Sequence, residues 1–499
     1  MLQSLSSPIS SQTLPPLALR WPTQTMSTIS ANGVHVLIFP YPAQGHILPM
    51  LDFTHQLALR GLTITILVTP KNLPILNPLL STHPSIQTLV FPFPPHPSIP
   101  SGVENVRDIG NHGNIPIISA LSKLHDQIIQ WFKSHPSPPV VLISDFFLGW
   151  TENLAHQIGI PRIVFYSSGA FGMAVLRHLW LNFESITSSV SVVNFSDLPR
   201  SPSFVWHHLP SVFRRCRDNS SDQDSLVVRW SIAANSKSWG AVFNTFDALE
   251  GEYLEWWKKK MGHGRVFAIG PLNLIGVPEK VGRGDVYLQS ADGRSSSLQW
   301  LDGWPDGSVL YVCFGSQKFL KKAQMEALAI GLEGSGVRFI WVVKQLTAQQ
   351  VDEGYGSVPD GFEDRVSGRG LVVKGWAPQV AILNHRAVGG FLCHCGGNAM
   401  LEAIEAGVMI LGWPMEADQY MNERLLVDYI GAGVRVCEGP ETVPDPTVLA
   451  KTIGESMRGD TIRMEMAKQL RNKAFEAVNV GGTSTKDIDG LLRELAQLK

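Results

Sequence analysis

The feature that most constrains this 499-residue chain is a rhythm of short apolar strands and helices that runs once, pauses and starts again. Val34–Phe39 (VHVLIF) leads into a Pro/Gly/His turn and the helical stretch Ile47–Leu59. Leu62–Val68, Val140–Ser144 and Arg162–Tyr166 read as further strands, with helix-like Thr151–Ile158 between the last two. The rhythm resumes with Val309–Phe314, Phe339–Val343, Gly370–Val373, Gly389–Leu392 and Val408–Leu411. Strands this uniformly apolar are buried on both faces, and alternation with helices makes them parallel. A chain of this length exceeds one ordinary core, so two halves imply two domains. The expected fold is α/β, with two Rossmann-like, doubly wound domains facing a cleft. Open parallel sheets bind ligands beyond the carboxyl ends of their strands, so both walls of that cleft should carry function.

Boundaries follow from composition. Residues 1–32 hold seven serines, four prolines and one arginine but no acidic residue. A plastid transit peptide has that composition too. The plainer expectation is a disordered extension without chemistry, with Met26 as an alternative start. Residues 33–270 form the first domain, a Gly/Ser-rich linker spans 271–297, and the second domain covers 298–480. Residues 481–499 are expected to form a helix that packs back on the first domain. The polar run Asp218–Ser225 reads as a mobile surface loop.

Several classes of function are disfavoured. A net charge of −2 gives no reason to expect nucleic acid. Apolar stretches break well short of a membrane span. Five irregularly spaced cysteines make no disulfide framework, which points to the reducing cytoplasm. Cys393 and Cys395 lack a second pair and are a weak zinc signal. Two Asp-x-Asp triplets, Asp222/Asp224 and Asp487/Asp489, follow no apolar strand and read as solvated charge, so no metal site is expected. The glycine fingerprint of dinucleotide-binding enzymes is absent, as are the phosphate-loop, zinc-protease and serine-hydrolase motifs.

The chemistry therefore rests on backbone dipoles and a few side chains. His46, where the first strand turns into a helix, sits at the positive end of a helix dipole, which disfavours an imidazolium and suits a base. A lone His there is more often a packed turn residue. Asp145, at the carboxyl end of another strand of the same sheet, changes the odds. A carboxylate holding one imidazole nitrogen leaves the other free to accept a proton. The plain alternative for Asp145 is a helix cap. In the second half, His394-Cys395-Gly396-Gly397-Asn398 joins a strand to the helical stretch Ala399–Ala406. Free N–H groups there, approachable past two glycines, suit an anion. Glu402, one turn on, suits a ribose diol, and Gly315-Ser316 is a similar strand-end turn.

The run Trp376–Gln419, WAPQVAILNHRAVGGFLCHCGGNAMLEAIEAGVMILGWPMEADQ, resembles the signature box of plant family-1 UDP-glycosyltransferases. The likeness extends from Val34 over almost the whole chain and includes Gly45-His46, Ser144-Asp145, Phe243–Phe246, Trp300–Asp302 and Phe314–Ser316. Pro94–Asn105 and Arg435–Pro444 look like the branch with flavonol glucosyl- and rhamnosyltransferases. The resemblance implies the GT-B fold and sugar transfer from a UDP-sugar co-substrate, with inversion and without metal or other cofactor. It makes His46 the base and Asp145 its orienting partner. Trp376 would stack on uracil, with Gln379 or Ala377 reading the base edge. His394, Asn398 and Ser316 would hold the phosphates, Glu402 the ribose, and Asp418 with Gln419 the sugar, Gln going most often with glucose.

Two residues depart from the family pattern: Gly397 stands where Trp is usual, and Ala399 where Ser is usual. Loss of a hydroxyl donor to a charged phosphate costs about 1–3 kcal/mol. Another donor sugar, or a weakly active phenolic-binding relative, are therefore competing expectations. The acceptor, a flat phenolic such as a flavonoid, is expected near Gly45 and His46, between loops that present Phe93, Phe146, Phe147, Ser167 and Phe171. A monomer is expected.

Overall fold

The computed structural model describes residues 33–276, 296–315 and 318–498; the expected N-terminal extension, most of the expected linker and Ser316 lie outside them. In the first half, strands β1 (His35–Phe39), β2 (Thr63–Val68), β3 (Gln87–Val90), β4 (Val141–Asp145) and β5 (Arg162–Tyr166) precede a hairpin of β6 (Val192–Asn194) and β7 (Ser203–Val205). Then follow β8 (Gly240–Phe243) and β9 (Val266–Ala268). The seven-stranded sheet runs β3-β2-β1-β4-β5-β8-β9, all parallel. The second half holds β10 (Val309–Cys313), β11 (Arg338–Val343), β12 (Gly370–Lys374), β13 (Val388–Cys393), β14 (Met409–Gly412) and β15 (Gly433–Arg435). These form a parallel six-stranded sheet in the order β12-β11-β10-β13-β14-β15. In both sheets the order reverses beside the first strand, and that switch point opens a crevice at the strand carboxyl ends.

Every residue of β1, β4 and β5 is buried, as central strands covered by helices on both faces must be. One core fills the first domain and continues through Tyr311, Phe391 and Ile410 on one face of the second sheet. Leu310, Trp341 and Trp413 belong to a second cluster on the opposite face. Adjacent residues of one strand thus serve different layers, as the period of two requires.

The chain crosses back to the first domain before it ends. The helix Thr461–Val478 lies against both Gly397–Ala406 and the first-domain helix Asp247–Met261. In the last helix, Thr483–Ala496, Asp487 Oδ2 accepts from the Ala268 N–H at 2.7 Å and the Ser484 hydroxyl donates to the Gly270 carbonyl at 2.5 Å. Asp487 is thus a junction residue and not solvated charge. Asp222 likewise caps the helix Gln223–Ala234, accepting from the Ser225 N–H at 3.0 Å, and Asp224 pairs with His96 at 3.0 Å. The run 218–225 is a tight turn between that helix and Ser211–Asp218, not a loose loop. Its polar residues are there because helix ends need caps.

Candidate active site

The wall expected to take the acceptor is built where β1 and β4 end. The helix after β1 spans Gln44–Leu59, so His46 stands in its first turn and not in a preceding turn. Its Nδ1 lies 2.9 Å from Asp145 Oδ2. Asp145 is wholly buried, while the imidazole keeps 17% of its surface open. The other carboxylate oxygen, Oδ1, accepts from the Phe147 N–H at 2.9 Å, capping the turn Phe146–Leu148. The two readings of Asp145 from sequence are therefore both realised, one on each oxygen. Phe146 and Phe147 stack on the imidazole with centroids 5.2 and 4.9 Å away, and Tyr41 meets its edge at 5.2 Å. Burial, then the Asp145 charge, pushes the Tyr41 phenol well up, so it stays a neutral donor to Asn114 Oδ1 at 2.8 Å. Behind the dyad, the Arg162 guanidinium donates to Ser144 Oγ, Asn235 Oδ1, Ser238 Oγ and the Asp145 carbonyl. With the Nδ1 proton directed at the carboxylate, His46 Nε2 is left to accept a proton.

The opposite wall rises from β10, β11 and β13, three neighbouring strands. The Gly375 N–H donates to the Val343 carbonyl at 2.7 Å, which holds the following Trp376 beside the end of β11. The Trp376 indole is 43% exposed, an aromatic face left open rather than used in a core. Gln379 is pinned by the Tyr311 hydroxyl, which donates to its Oε1 at 3.2 Å; its own Nε2 donates to Glu402 Oε2 at 2.6 Å. The His394 ring lies against Gly315 and Gly396, where an added Cβ would come within 2.6 Å of it. Gly315 also has φ 73°, so two independent reasons require glycine there. The His394 Nδ1 is enclosed and has no partner among the described residues, and burial, then Lys344, depresses its pKa to about 4. Among the described residues no side chain caps the helix Gly397–Ala406 at its start, so its first N–H groups remain available to an anion.

Asn398 links the walls. Its Nδ2 lies 3.4 Å from the Gly45 carbonyl, whose usual helical partner would be the N–H of residue 49; that residue is Pro49 and has none. Gln419 Oε1 accepts from the Met415 and Glu416 N–H groups, both at 3.0 Å, leaving its amide nitrogen to donate elsewhere. A Cβ on Gly397 would lie 3.5 Å from Asp418 Oδ2 and 3.8 Å from the Ser167 carbonyl. Between the walls lies a cavity of about 530 Å³, within the ordinary range for a small-molecule site.

A family model described as UDP-glucoronosyl and UDP-glucosyl transferase matches residues 299–452. UDP-glycosyltransferase 89A2 of Arabidopsis thaliana is 51% identical over 467 residues, covering 93% of this chain and 96% of that one. Flavonol 3-O-glucosyltransferase UGT89B1 of the same plant is 48% identical over 93% of this chain and 96% of its own. The chain belongs to this UDP-glycosyltransferase family. Among solved structures, Arabidopsis thaliana UGT89C1 complexed with UDP-L-rhamnose matches with a TM-score of 0.75 and 36% identity, over 93% of this chain and 99% of that one. The same neighbour complexed with quercetin matches with a TM-score of 0.73. The fold is thus GT-B, and the chain is a UDP-dependent glycosyltransferase.

For this glycosyltransferase, the residues singled out in the sequence fall mostly together. Gly45, His46, Phe146, Phe147 and Ser167 line the cavity on one side. Trp376, Ala377, Gln379, His394, Gly397, Asn398, Ala399, Glu402, Asp418 and Gln419 line it on the other, with Asp145 directly behind His46. Two acceptor-side expectations need correction. Phe171 is 1% exposed and stacks on Tyr253 at 4.6 Å, because the second position of the helix Ala170–Leu181 turns inward. Gly172 and Met173 face the cavity in its place. Phe93 packs against the core outside the cavity. Sequence reading missed Tyr41 and Glu250, whose buried carboxylate holds the Ala170 and Phe171 N–H groups and so fixes the loop carrying Ser167. It also missed the Asn111 to Glu416 bond between the walls, 2.5 Å long. Contacts so distant in sequence leave no local signal. Among the described residues no group of three or more potential ligands is placed to hold a metal, and no helix is long and apolar enough to cross a membrane.

Proposed function

We propose that this glycosyltransferase moves a sugar, by preference glucose, from its UDP carrier to a hydroxyl of a flavonoid or similarly flat phenolic. It does so with inversion and without metal or other cofactor, as a monomer in the reducing cytoplasm. The observation that carries the reading is the placement of the His46–Asp145 pair on one wall of the cavity that the signature-box residues line on the other. His46 Nε2 takes the proton of the acceptor hydroxyl as its oxygen bonds to the anomeric carbon. The bond from that carbon to the UDP oxygen breaks on the opposite side. Asp145 holds the resulting imidazolium, and Phe146 and Phe147 keep its ring in plane. The leaving diphosphate meets the open N-terminus of Gly397–Ala406, with Asn398 and His394 beside it. The Ser316 hydroxyl is assigned to the same phosphates.

An apolar wall of Leu48, Phe146, Phe147, Met173 and Leu176 suits a flat aromatic acceptor, and a relative 48% identical is a flavonol 3-O-glucosyltransferase. The presence of Asp418 and Gln419 supports glucose. The missing side chain at Gly397, whose Cβ position lies 3.5 Å from Asp418 Oδ2, supports a second reading in which another UDP-sugar is preferred. Mass spectrometry of products from a matrix of UDP-sugars and phenolics tests both. A hexosylated flavonol formed from UDP-glucose is the expected product. Rhamnosyl or xylosyl products without hexosyl product would move the preference to the second reading. Phenolic binding with no product from any pair would reduce the chain to a binder.

A further inference from the structure

We propose that Lys344, with Lys318 beside it, binds the donor diphosphate directly and supplies the positive charge that the rest of the phosphate wall lacks. The proposal rests on the UDP-sugar reading of the cavity. A nucleotide-sugar diphosphate carries two negative charges, yet the acidic residues lining the cavity are Glu402, Glu416 and Asp418, all unfavourable to it. Among the described lining residues the lysines are Lys318 and Lys344, and there is no arginine. His394 is held neutral by burial, and Ala399 brings no hydroxyl. Helix dipoles and amides alone would face a dianion surrounded by carboxylates.

Lys344 is well placed to offset that. It follows Val343, whose carbonyl anchors Gly375 ahead of Trp376, and β11 is flanked in the sheet by β10, which runs into Gly315 and so to the His394 ring. The lysine thus stands between the aromatic face expected to take the base and the imidazole expected to take phosphate. Its Nζ donates to the Lys318 carbonyl at 2.8 Å and lies 4.2 Å from the Phe319 ring. An ammonium has three donors, so two remain for phosphate oxygens. Among the described residues no carboxylate contributes to the charge that acts on it. The groups acting on it are Cys313 at the end of β10 and Lys318 on the loop beyond; His394 is itself depressed by it. Glu416 and Glu441 act on Lys318. Burial, with Lys318 adding to it, lowers the Lys344 pKa to about 7. A diphosphate beside the amine reverses that shift, so binding should draw a proton from solvent.

Calorimetric titration of UDP and of uridine into the wild type and Lys344→Met tests this, at about pH 8 where His394 stays neutral. The methionine keeps the apolar stem and loses the charge. Lys344→Met should bind UDP about 10- to 100-fold more weakly and uridine unchanged, the loss expected for a charge-assisted bond. Repeating the titration in buffers of different ionisation enthalpy should show proton uptake with UDP in the wild type and little or none in the variant. Equal UDP affinity and equal uptake in the two proteins would overturn the proposal. An equal loss for UDP and uridine would overturn it too, since it would mean that Lys344 only pins the loop through Lys318. Wild-type protein that bound neither would instead overturn the donor-site reading from which the proposal starts.

Discussion

The two walls of the cavity differ in how much of their chemistry is finished before a ligand arrives. On the acceptor side, His46, Asp145 and Arg162 form a connected set in which both carboxylate oxygens and the imidazole Nδ1 already have partners within the domain. On the donor side, among the described residues, the His394 Nδ1 has no partner and the helix Gly397–Ala406 has no side-chain cap, and the Trp376 indole stands open. A base must be oriented before reaction, so its supports are internal. A nucleotide brings its own hydrogen-bonding groups, so on the proposed reading the wall that takes it keeps donors and a ring face vacant.

The comparison breaks most severely if the internal support is removed. Arg162→Ala leaves four buried acceptors without their donor and opens a cavity, and should destabilise the fold by about 3–5 kcal/mol. Denaturant titration reads this directly; a loss below about 1 kcal/mol would show that the set is not load-sharing. Next in size, His46→Ala should lower turnover on unactivated phenols by at least ~10²-fold. Asp145→Ala should cost less, and the double variant little more than His46→Ala alone, because one proton-handling unit is lost once.

Smaller effects are expected across the gap. Gly397→Trp with Ala399→Ser should raise kcat/KM for UDP-glucose by about 10-fold if about 1.4 kcal/mol of donor contact is recovered. If the space beside Asp418 serves another sugar, the same variant should instead lose its best activity, since overpacking costs about 1–3 kcal/mol. Measuring kcat/KM for UDP-glucose, UDP-galactose, UDP-xylose and UDP-rhamnose separates the outcomes. The smallest effect should be that of EDTA, which should leave the rate unchanged. A strict need for manganese or magnesium would contradict a diphosphate held by protein donors alone.

Much of this was legible in the sequence, for physical reasons that also explain what was not. β1, β4 and β5 announce themselves because burial on both faces makes them uniformly apolar. β3 is an edge strand with mostly exposed residues, and β15 is three residues long, so neither shows a pattern. The start of the His46 helix was placed three residues late because Ala43 precedes it, with no Ser, Thr, Asp or Asn to mark a cap. The residues that line the cavity from the second domain were legible as a register along Trp376–Gln419. Phe171 was misplaced because it was read as part of a loop, whereas it is the second residue of the helix Ala170–Leu181 and turns inward. Lys344 was passed over because a lysine after an apolar strand looks like ordinary surface.

The central claim is that His46 removes the acceptor proton, and a series of phenols graded in acidity tests it most directly. Turnover of wild type and His46→Ala should be compared from ordinary flavonol-like phenols to nitrophenols that are already ionised at the assay pH. The account predicts a deficit of at least ~10²-fold on the least acidic phenols, shrinking towards parity as the acceptor arrives without its proton. A deficit that stays constant across the series, or no deficit on the least acidic phenol, would contradict it.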